Sequence, residues 1–311
     1  MTDSSKDDSS AQNPDLAVSP DMLKDFASEQ CLLKECISEQ NTQSWQRLRR
    51  AATSSSPWTN PVYADWSVLR YVGGLDLSCP KDDQKRACAA LVVTELPSLK
   101  VVYKDFITDR VNVPYVPGYL GAREYPLMGR VLERMRKQCP EQFKPQVLLV
   151  DGNGILHPRG CGSACHVGVK EKMPCVGVAK NFYRLPKWEA SFEDNIRGRL
   201  SAGITDDMVD LEHDGKIVGK AVRLSKNSGK PVYVSVGSNI DLDTAVWVVK
   251  LCSKYRIPEP IRQADLYSRR IIASGGTILG DGTDCGGGVT DLPSCVGEPE
   301  EPNHKDTIHR Y

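Results

Sequence analysis

Nowhere does the chain approach the about 20 consecutive apolar residues that a membrane-crossing helix needs, so no membrane span is expected. The opening residues are rich in Ser and Asp and lack an apolar core, so a secretory signal is not expected either. There is no charge excess: Lys+Arg and Asp+Glu both number 40. That balance neither favours nor excludes nucleic acid, because a local basic groove disappears in the sum. The 11 cysteines form no CxxC pair, and their odd number does not suit a disulfide framework. Reduced thiols in an intracellular compartment are the simpler reading. Cys161-x3-Cys165-His166 has the spacing of half a zinc site, but no second half follows. There is no internal repeat. What remains is ordinary for a globular protein, with 40% hydrophobic and 26% charged residues, and 311 residues can hold one large or two small domains.

The periodicities divide the chain. Residues 1–21 are polar and read as a disordered tail. Residues 22–37 carry Met22, Leu23, Phe26, Leu33, Cys36 and Ile37 mostly at spacings of three and four, which predicts an amphipathic helix. Residues 51–65 are Ser/Pro-rich and read as an insertion. Strands are expected over 71–78, 87–95 and 100–106, with short links that suit antiparallel hairpins. Within the first, Asp76 alternates with Leu75 and Leu77, so it faces the opposite side of the sheet. A carboxylate placed mid-strand is costly to bury without a partner or a metal. A Pro-stiffened loop over 114–120 leads into a helix that ends near Gln138, before Pro140. A helix between strands suits a parallel crossover. Further strands are expected over 174–179 and 231–236, with a hairpin at Asp214-Gly215 between them and a helix capped by Asp241 after them. Residues 181–208 show no clear period, and 272–311 read as a disordered tail.

One run organises the rest. Val147-Leu148-Leu149-Val150 is a strand buried on both faces, and it ends on Asp151-Gly152-Asn153-Gly154. A carboxylate just past a buried strand, beside small residues, is a common active-site construction. The same residues also fit a surface turn, since Asp-Gly is a turn pair. The order of elements, with acids on the first strand, the helix and the fourth strand, can gather carboxylates. Such hard oxygen ligands favour Mg²⁺ or Mn²⁺ over zinc.

The motifs themselves resemble the endonuclease V family. They are Val72-Gly73-Gly74-Leu75-Asp76-Leu77-Ser78; Pro114-Tyr115-Val116-Pro117-Gly118 with Arg123-Glu124; Asp151 through Gly160 with Ala164-Cys165-His166; Val176-Gly177-Val178-Ala179-Lys180; and Arg256-Ile257-Pro258-Glu259-Pro260 with Arg262-Gln263-Ala264-Asp265. Glu29-Gln30 and Trp45-Gln46-Arg47 fit the same pattern. The resemblance spans about residues 22–270 and implies one catalytic domain over 22–271. It implies an α/β, RNase H-like mixed sheet, with three antiparallel strands plus parallel strands, flanked by helices. It implies a metal-dependent endonuclease that hydrolyses the second phosphodiester bond 3′ to inosine. Asp76, Glu124 and Asp151 match the metal-binding acids, and Lys180 matches the lysine at the scissile phosphate. Pro114, Tyr115, Val116 and Pro117 match a wedge that holds the substrate open, and Gly118, Leu120 and Gly152 match the hypoxanthine pocket. His157 and Arg159 either order that loop or meet phosphate; His166 reads as a packed histidine rather than a ligand.

One position departs from the family. Gly237 is followed by Ser238, where the family has a histidine that the resemblance ties to the metal site. The expectation is weakened or altered metal dependence. The resemblance implies Mg²⁺, with Mn²⁺ as a substitute, and inosine-containing single-stranded RNA as the main substrate. Deoxyinosine in DNA and a non-cleaving inosine-RNA binder are the alternatives. A monomer in the cytoplasm, the nucleus or both, the nucleolus included, is expected, with no membrane contact.

Overall fold

The computed structural model describes residues 18–47, 68–201, 207–225 and 228–275. The expected insertion at 51–65 and nearly all of both expected tails lie outside these residues. The chain begins with α1 (Pro20–Glu35) and α2 (Ser44–Arg47). Three strands follow, β1 (Tyr71–Ser78), β2 (Arg86–Glu95) and β3 (Lys100–Arg110), paired as antiparallel neighbours. Next are α3 (Leu120–Gln138), β4 (Val147–Asp151), α4 (Ser163–Glu171) and β5 (Cys175–Ala179). The remaining elements are α5 (Phe192–Ser201), β6 (Met208–His213), β7 (Lys216–Val222), β8 (Val232–Ser238), α6 (Leu242–Leu251) and α7 (Glu259–Ala273).

All strands join one 8-stranded sheet in the order β3-β2-β1-β4-β5-β8-β7-β6. The β4 strand lies parallel to β1, and β5 parallel to β4, because α3 and α4 return the chain to the same edge each time. Val147, Leu148, Leu149 and Val150 are each 0% exposed, as a strand covered on both faces requires. Leu75, Leu148 and Val150 pack beneath α3 with Leu127, Met128, Val131 and Leu132. Val72, Leu149, Val176 and Val234 pack on the other face with α6 and with Ile261 of α7. The mixed α/β sheet flanked by helices is therefore the architecture expected.

Differences are local. The β3 strand runs four residues past the expected end, to Arg110. The stretch that showed no period contains α5, whose buried residues are Ile196 and Leu200. The motif segments 256–260 and 262–265, given no secondary structure from sequence, lead into and lie within the long helix α7 (Glu259–Ala273). The Asp214-Gly215 turn is present, with φ of +51° and +76° at its two residues. Asp241 caps α6, accepting from the Thr244 N–H at 2.6 Å.

Glycine sets how closely α7 approaches the sheet. A Cβ on Gly74 would lie 2.1 Å from the Pro260 carbonyl carbon, so the backbone of α7 rests directly on β1. Overpacking of this kind costs about 1–3 kcal/mol and displaces whatever can move. Gly74→Ala is therefore expected to lower stability by about that amount in chemical denaturation. It should cut nuclease activity as well, because the side chains of α7 that face β1 shift with the helix. Unchanged stability and unchanged activity together would contradict the close approach.

Candidate active site

Parallel pairing sets Leu75 of β1 opposite Val150 of β4, so Asp76, two residues before the end of β1, stands level with Asp151, the last residue of β4. Adjacent strands are about 4.8 Å apart. Both acids fall on the face covered by α7, since Leu75 and Val150 point the other way toward α3. Asp76 is 1% exposed. Its Oδ2 lies 3.2 Å from the Ser78 hydroxyl and 3.1 Å from the Ser268 hydroxyl of α7. Those two hydroxyls are 2.8 Å apart.

Lys180 follows β5, the strand next to β4, and reaches back to the same place. Its Nζ is 2.7 Å from Asp151 Oδ2 and 3.8 Å from Asp265 Oδ1 of α7. Arg269, one turn on, is 3.1 Å from the other oxygen of Asp265. The structure thus brings together Asp76, Asp151 and Lys180, and adds Asp265, which sequence reading quoted within a motif but gave no role. The signal was present: Ile261, Ala264, Ser268 and Ile271 repeat at helical spacing, which makes the stretch a helix with one buried face. Glu124 stands near the start of α3, where the Ser163 hydroxyl donates to its Oε2 at 3.0 Å, and a Cβ on Gly152, the residue after Asp151, would lie 3.6 Å from that hydroxyl. Among the described residues no group of three or more His, Cys, Asp or Glu side chains is close enough to enclose an ion. A single ammonium bridges Asp151 and Asp265 instead.

Beside the acids lies the loop 113–119, fixed at both ends. Before it, the buried Arg123 of α3 donates to the carbonyls of Val113 and Gln84. After it, the Gly118 carbonyl accepts from Gln30 Nε2 at 2.9 Å, from His157 Nε2 at 3.0 Å and from the Arg159 guanidinium. Gly118 has φ of +80°, a conformation that glycine adopts without strain. Between these anchors Pro114 is buried, Val116 half-buried and Pro117 exposed, while Tyr115 is 36% exposed. Leu120 opens α3, and Gly152, with φ of +152°, faces Ser163. His157 and Arg159 therefore order the loop, one of the two readings left open. Arg159 also lies 3.9 Å over the Tyr119 ring and donates to Gln30. Gln30 had no assigned role, yet it ties the Gly118 and Cys161 carbonyls together, the second also at 2.9 Å.

His166 is fully buried, and its ring lies so close to Gly121 that a Cβ there would come within 2.3 Å. The Cys161 thiol is lowered to about 6, first by Cys165 and then by His166. No zinc-like group forms around them among the described residues.

Ser238 requires a correction. It ends β8 and pairs with Cys175, the first residue of β5, whereas Asp151 pairs with Val178 near that strand's other end. Three residues of strand separate the two levels by about 10 Å. Because β8 runs antiparallel to β5, its glycine-serine end points away from the acids. Ser238 is 1% exposed, and its hydroxyl accepts from the Ser38 N–H at 3.1 Å. Its substitution therefore does not reach the acid cluster. Ser238→His is expected to cost about 1–3 kcal/mol through overpacking and to leave the Mg²⁺ titration midpoint of cleavage unchanged. A shifted midpoint would restore the original expectation.

His157 gives this site an acid sensitivity. Burial, then the charge of Arg159, push its pKa down from 6.5 to about 4. Its Nε2–H donates to Gly118 and its Nδ1 accepts from the Arg159 N–H at 3.2 Å, so both nitrogens are satisfied in the neutral ring. Between pH 6.5 and about 4 the unfolded chain binds the extra proton, so stability falls as pH falls. The loss from this group is about 2 kcal/mol between pH 7 and 5. Urea unfolding at those two pH values should show His157→Asn less stable at pH 7 but with a shallower pH dependence. An unchanged slope would mean that the ring is not held neutral.

Comparison with known proteins identifies the family. The family model described as Endonuclease V matches residues 59–266. Mouse endonuclease V is 41% identical over 249 residues, covering 79% of this chain and 68% of that protein. The crystal structure of human endonuclease V superposes with a TM-score of 0.70 at 39% identity, over 82% of this chain and 100% of that one. A Ciona intestinalis endonuclease V, solved with a 24mer DNA containing an inosine followed by a ribo-adenosine, has a TM-score of 0.71 at 30% identity. It covers 82% of this chain and 99% of its own. The acid-and-lysine sheet edge, the anchored loop and these likenesses converge: the chain belongs to the endonuclease V family, and it is a phosphodiester hydrolase.

Proposed function

We propose that this protein cuts single-stranded RNA at the second phosphodiester bond 3′ to inosine, leaving 3′-hydroxyl and 5′-phosphate ends, and that it depends on a divalent cation. The observation that carries this is the sheet edge where Asp76, Asp151, Lys180 and Asp265 meet beside the anchored loop. The donor set fits Mg²⁺ or Mn²⁺: it is built of carboxylate oxygens, the ligands that hard cations prefer. The position between Asp151 and Asp265 already receives a cation, the Lys180 ammonium. Asp76 and Asp151 would hold the ion, with Asp265 beside them and Glu124 orienting from the α3 side. Bound there, such an ion supplies an activated water and stabilises charge on the phosphate.

The chain's own residues supply the rest. Lys180 offers positive charge to the phosphate that is attacked. Ser78 and Ser268 fix the rotamer of Asp76 by hydrogen bonding. Gly118, Leu120 and Gly152 form a close-fitting pocket for hypoxanthine, which lacks the exocyclic amine of guanine, so a tight wall excludes guanine. Removing a base from its stack costs about a few kcal/mol, which stacking on Tyr115 offsets. The ribonucleotide after inosine in the Ciona complex supports the RNA reading, and the DNA around it supports deoxyinosine repair as the second reading.

Labelled single-stranded RNA with one inosine, incubated beside the matching DNA strand, tests both. Cleavage in Mg²⁺ is expected, faster for RNA, and Asp151→Asn should slow it by at least about 100-fold. Faster cutting of the DNA strand would select repair instead. Binding without product in either Mg²⁺ or Mn²⁺ would leave a non-cleaving inosine binder.

A further inference from the structure

Past Lys180 the sheet edge continues to the start of β8. There a cavity of about 210 Å³ opens between the end of β5, α5 and the segment before α7. Its walls include Lys180, Glu193, Arg197, Lys230, Tyr233 and Arg256, four cations and one carboxylate among them. Arg256 donates to the carbonyls of Lys180, Lys230 and Pro231, the last two at 3.2 Å. Those acceptors are neutral, so they aim the guanidinium without cancelling its charge. Neither Arg256 nor Lys230 forms a salt bridge among the described residues. Arg197 is paired with Glu193 at 2.5 Å, and Glu193 also accepts from the Tyr233 hydroxyl at 3.0 Å. The Arg197 Nε is nevertheless buried with no partner among the described residues.

The geometry points to an anion subsite: we infer that this cavity receives a backbone phosphate of the substrate strand next to the one that meets Lys180. This rests on the reading given under Proposed function. The order of elements supplies the position. Along one edge of the sheet come Asp76 (β1), Asp151 (β4), Lys180 (β5) and then Lys230, just before β8. His157, which holds the Gly118 carbonyl, stacks on Tyr183 three residues past Lys180, so the anchored loop and the cavity both border that lysine's strand end. The Ala179–Tyr233 pairing brings Val232 level with Lys180, one strand spacing of about 4.8 Å away, with Lys230 two residues before it. A strand whose scissile phosphate meets Lys180 runs directly into this cation pair. Phosphate contacts of this kind set register without reading sequence, which suits an enzyme that must cut at a fixed offset from one base.

The test measures RNA binding without divalent metal, as a function of salt, for wild type, Lys230→Ala and Arg197→Gln. Each lost phosphate contact lowers the slope of log Kd against log salt by about 0.7 for a single strand. Both variants should show that drop with a strand extending several nucleotides to each side of the cut. Lys230 is exposed and Lys137, on the α3 surface, pairs with Glu133, so Lys137→Ala serves as the control for nonspecific charge loss. An unchanged slope for both variants overturns the subsite, as does an equal drop for Lys137→Ala. Because the readout needs no cleavage, the two failures separate. A protein that binds as described but never cuts would keep the subsite and lose the nuclease reading, and normal cutting with flat slopes would do the reverse.

Discussion

The contact between the backbone of α7 and β1 at Gly74 is the constraint on which the catalytic edge depends. Helices normally stand off a sheet by the length of the side chains between them. Here the Pro260 peptide occupies the space that a Cβ would need. That closeness lets Ser268 reach Asp76 and Asp265 come within 3.8 Å of Lys180, although the residues on β1 and α7 are 192 positions apart in the case of Asp76 and Ser268. The same device recurs on the neighbouring strands. A Cβ on Gly154 would meet the Val236 carbonyl oxygen at 2.0 Å, and one on Gly177 would meet the Gly154 nitrogen at 2.3 Å. The glycines of the motifs therefore pull the loop after β4 down across β5 and β8, and the acids are carried in with it.

Electrostatics then follows from topology. Two adjacent parallel strands carry carboxylates at the same level, Asp76 within β1 and Asp151 at the end of β4, and burying them next to each other is unfavourable without compensation. Lys180 sits on the next strand at the same edge and supplies it. The chain Asp151–Lys180–Asp265–Arg269 alternates in sign, so no single charge in it stands alone. Such an arrangement can exchange one cation for another with little rearrangement. That property separates a catalytic edge from a permanent structural ion pair, in which the geometry serves only its own partners.

How much of this was legible follows from whether each feature is local. The buried strand 147–150, the alternation that turns Asp76 away from Leu75, the Asp214-Gly215 turn and the Asp241 cap are properties of a few consecutive residues, and they were readable. The clamp on Gly118 was not, because Gln30 reaches it across 88 positions and nothing near Gln30 signals a partner. Asp265 was visible only as a motif; its meeting with Lys180 depends on how α7 crosses the sheet. Ser238 shows the most instructive failure. Its place after a strand resembles that of Asp151, but β8 runs antiparallel to β5 and so delivers it to the opposite edge. Strand direction is decided by the whole topology, and a residue's distance from a site inverts when that direction does.

The loop that carries Tyr115 shows why the anchoring residues matter beyond stability. Arg123 holds the carbonyl before Pro114, and three donors hold the carbonyl of Gly118. Two prolines remove much of the remaining backbone freedom between them. A wedge of this kind has already surrendered its conformational entropy on folding, so inserting it beside a base does not incur that cost again. The argument also explains why His157 is buried in its neutral form. A protonated ring would have to lose its Nδ1 acceptor role toward the Arg159 N–H, and it would place a second cation against the Arg159 guanidinium. The ring that fixes the Gly118 carbonyl is thus also an acid-sensitive part of the loop, and it stands apart from the carboxylates of the sheet edge.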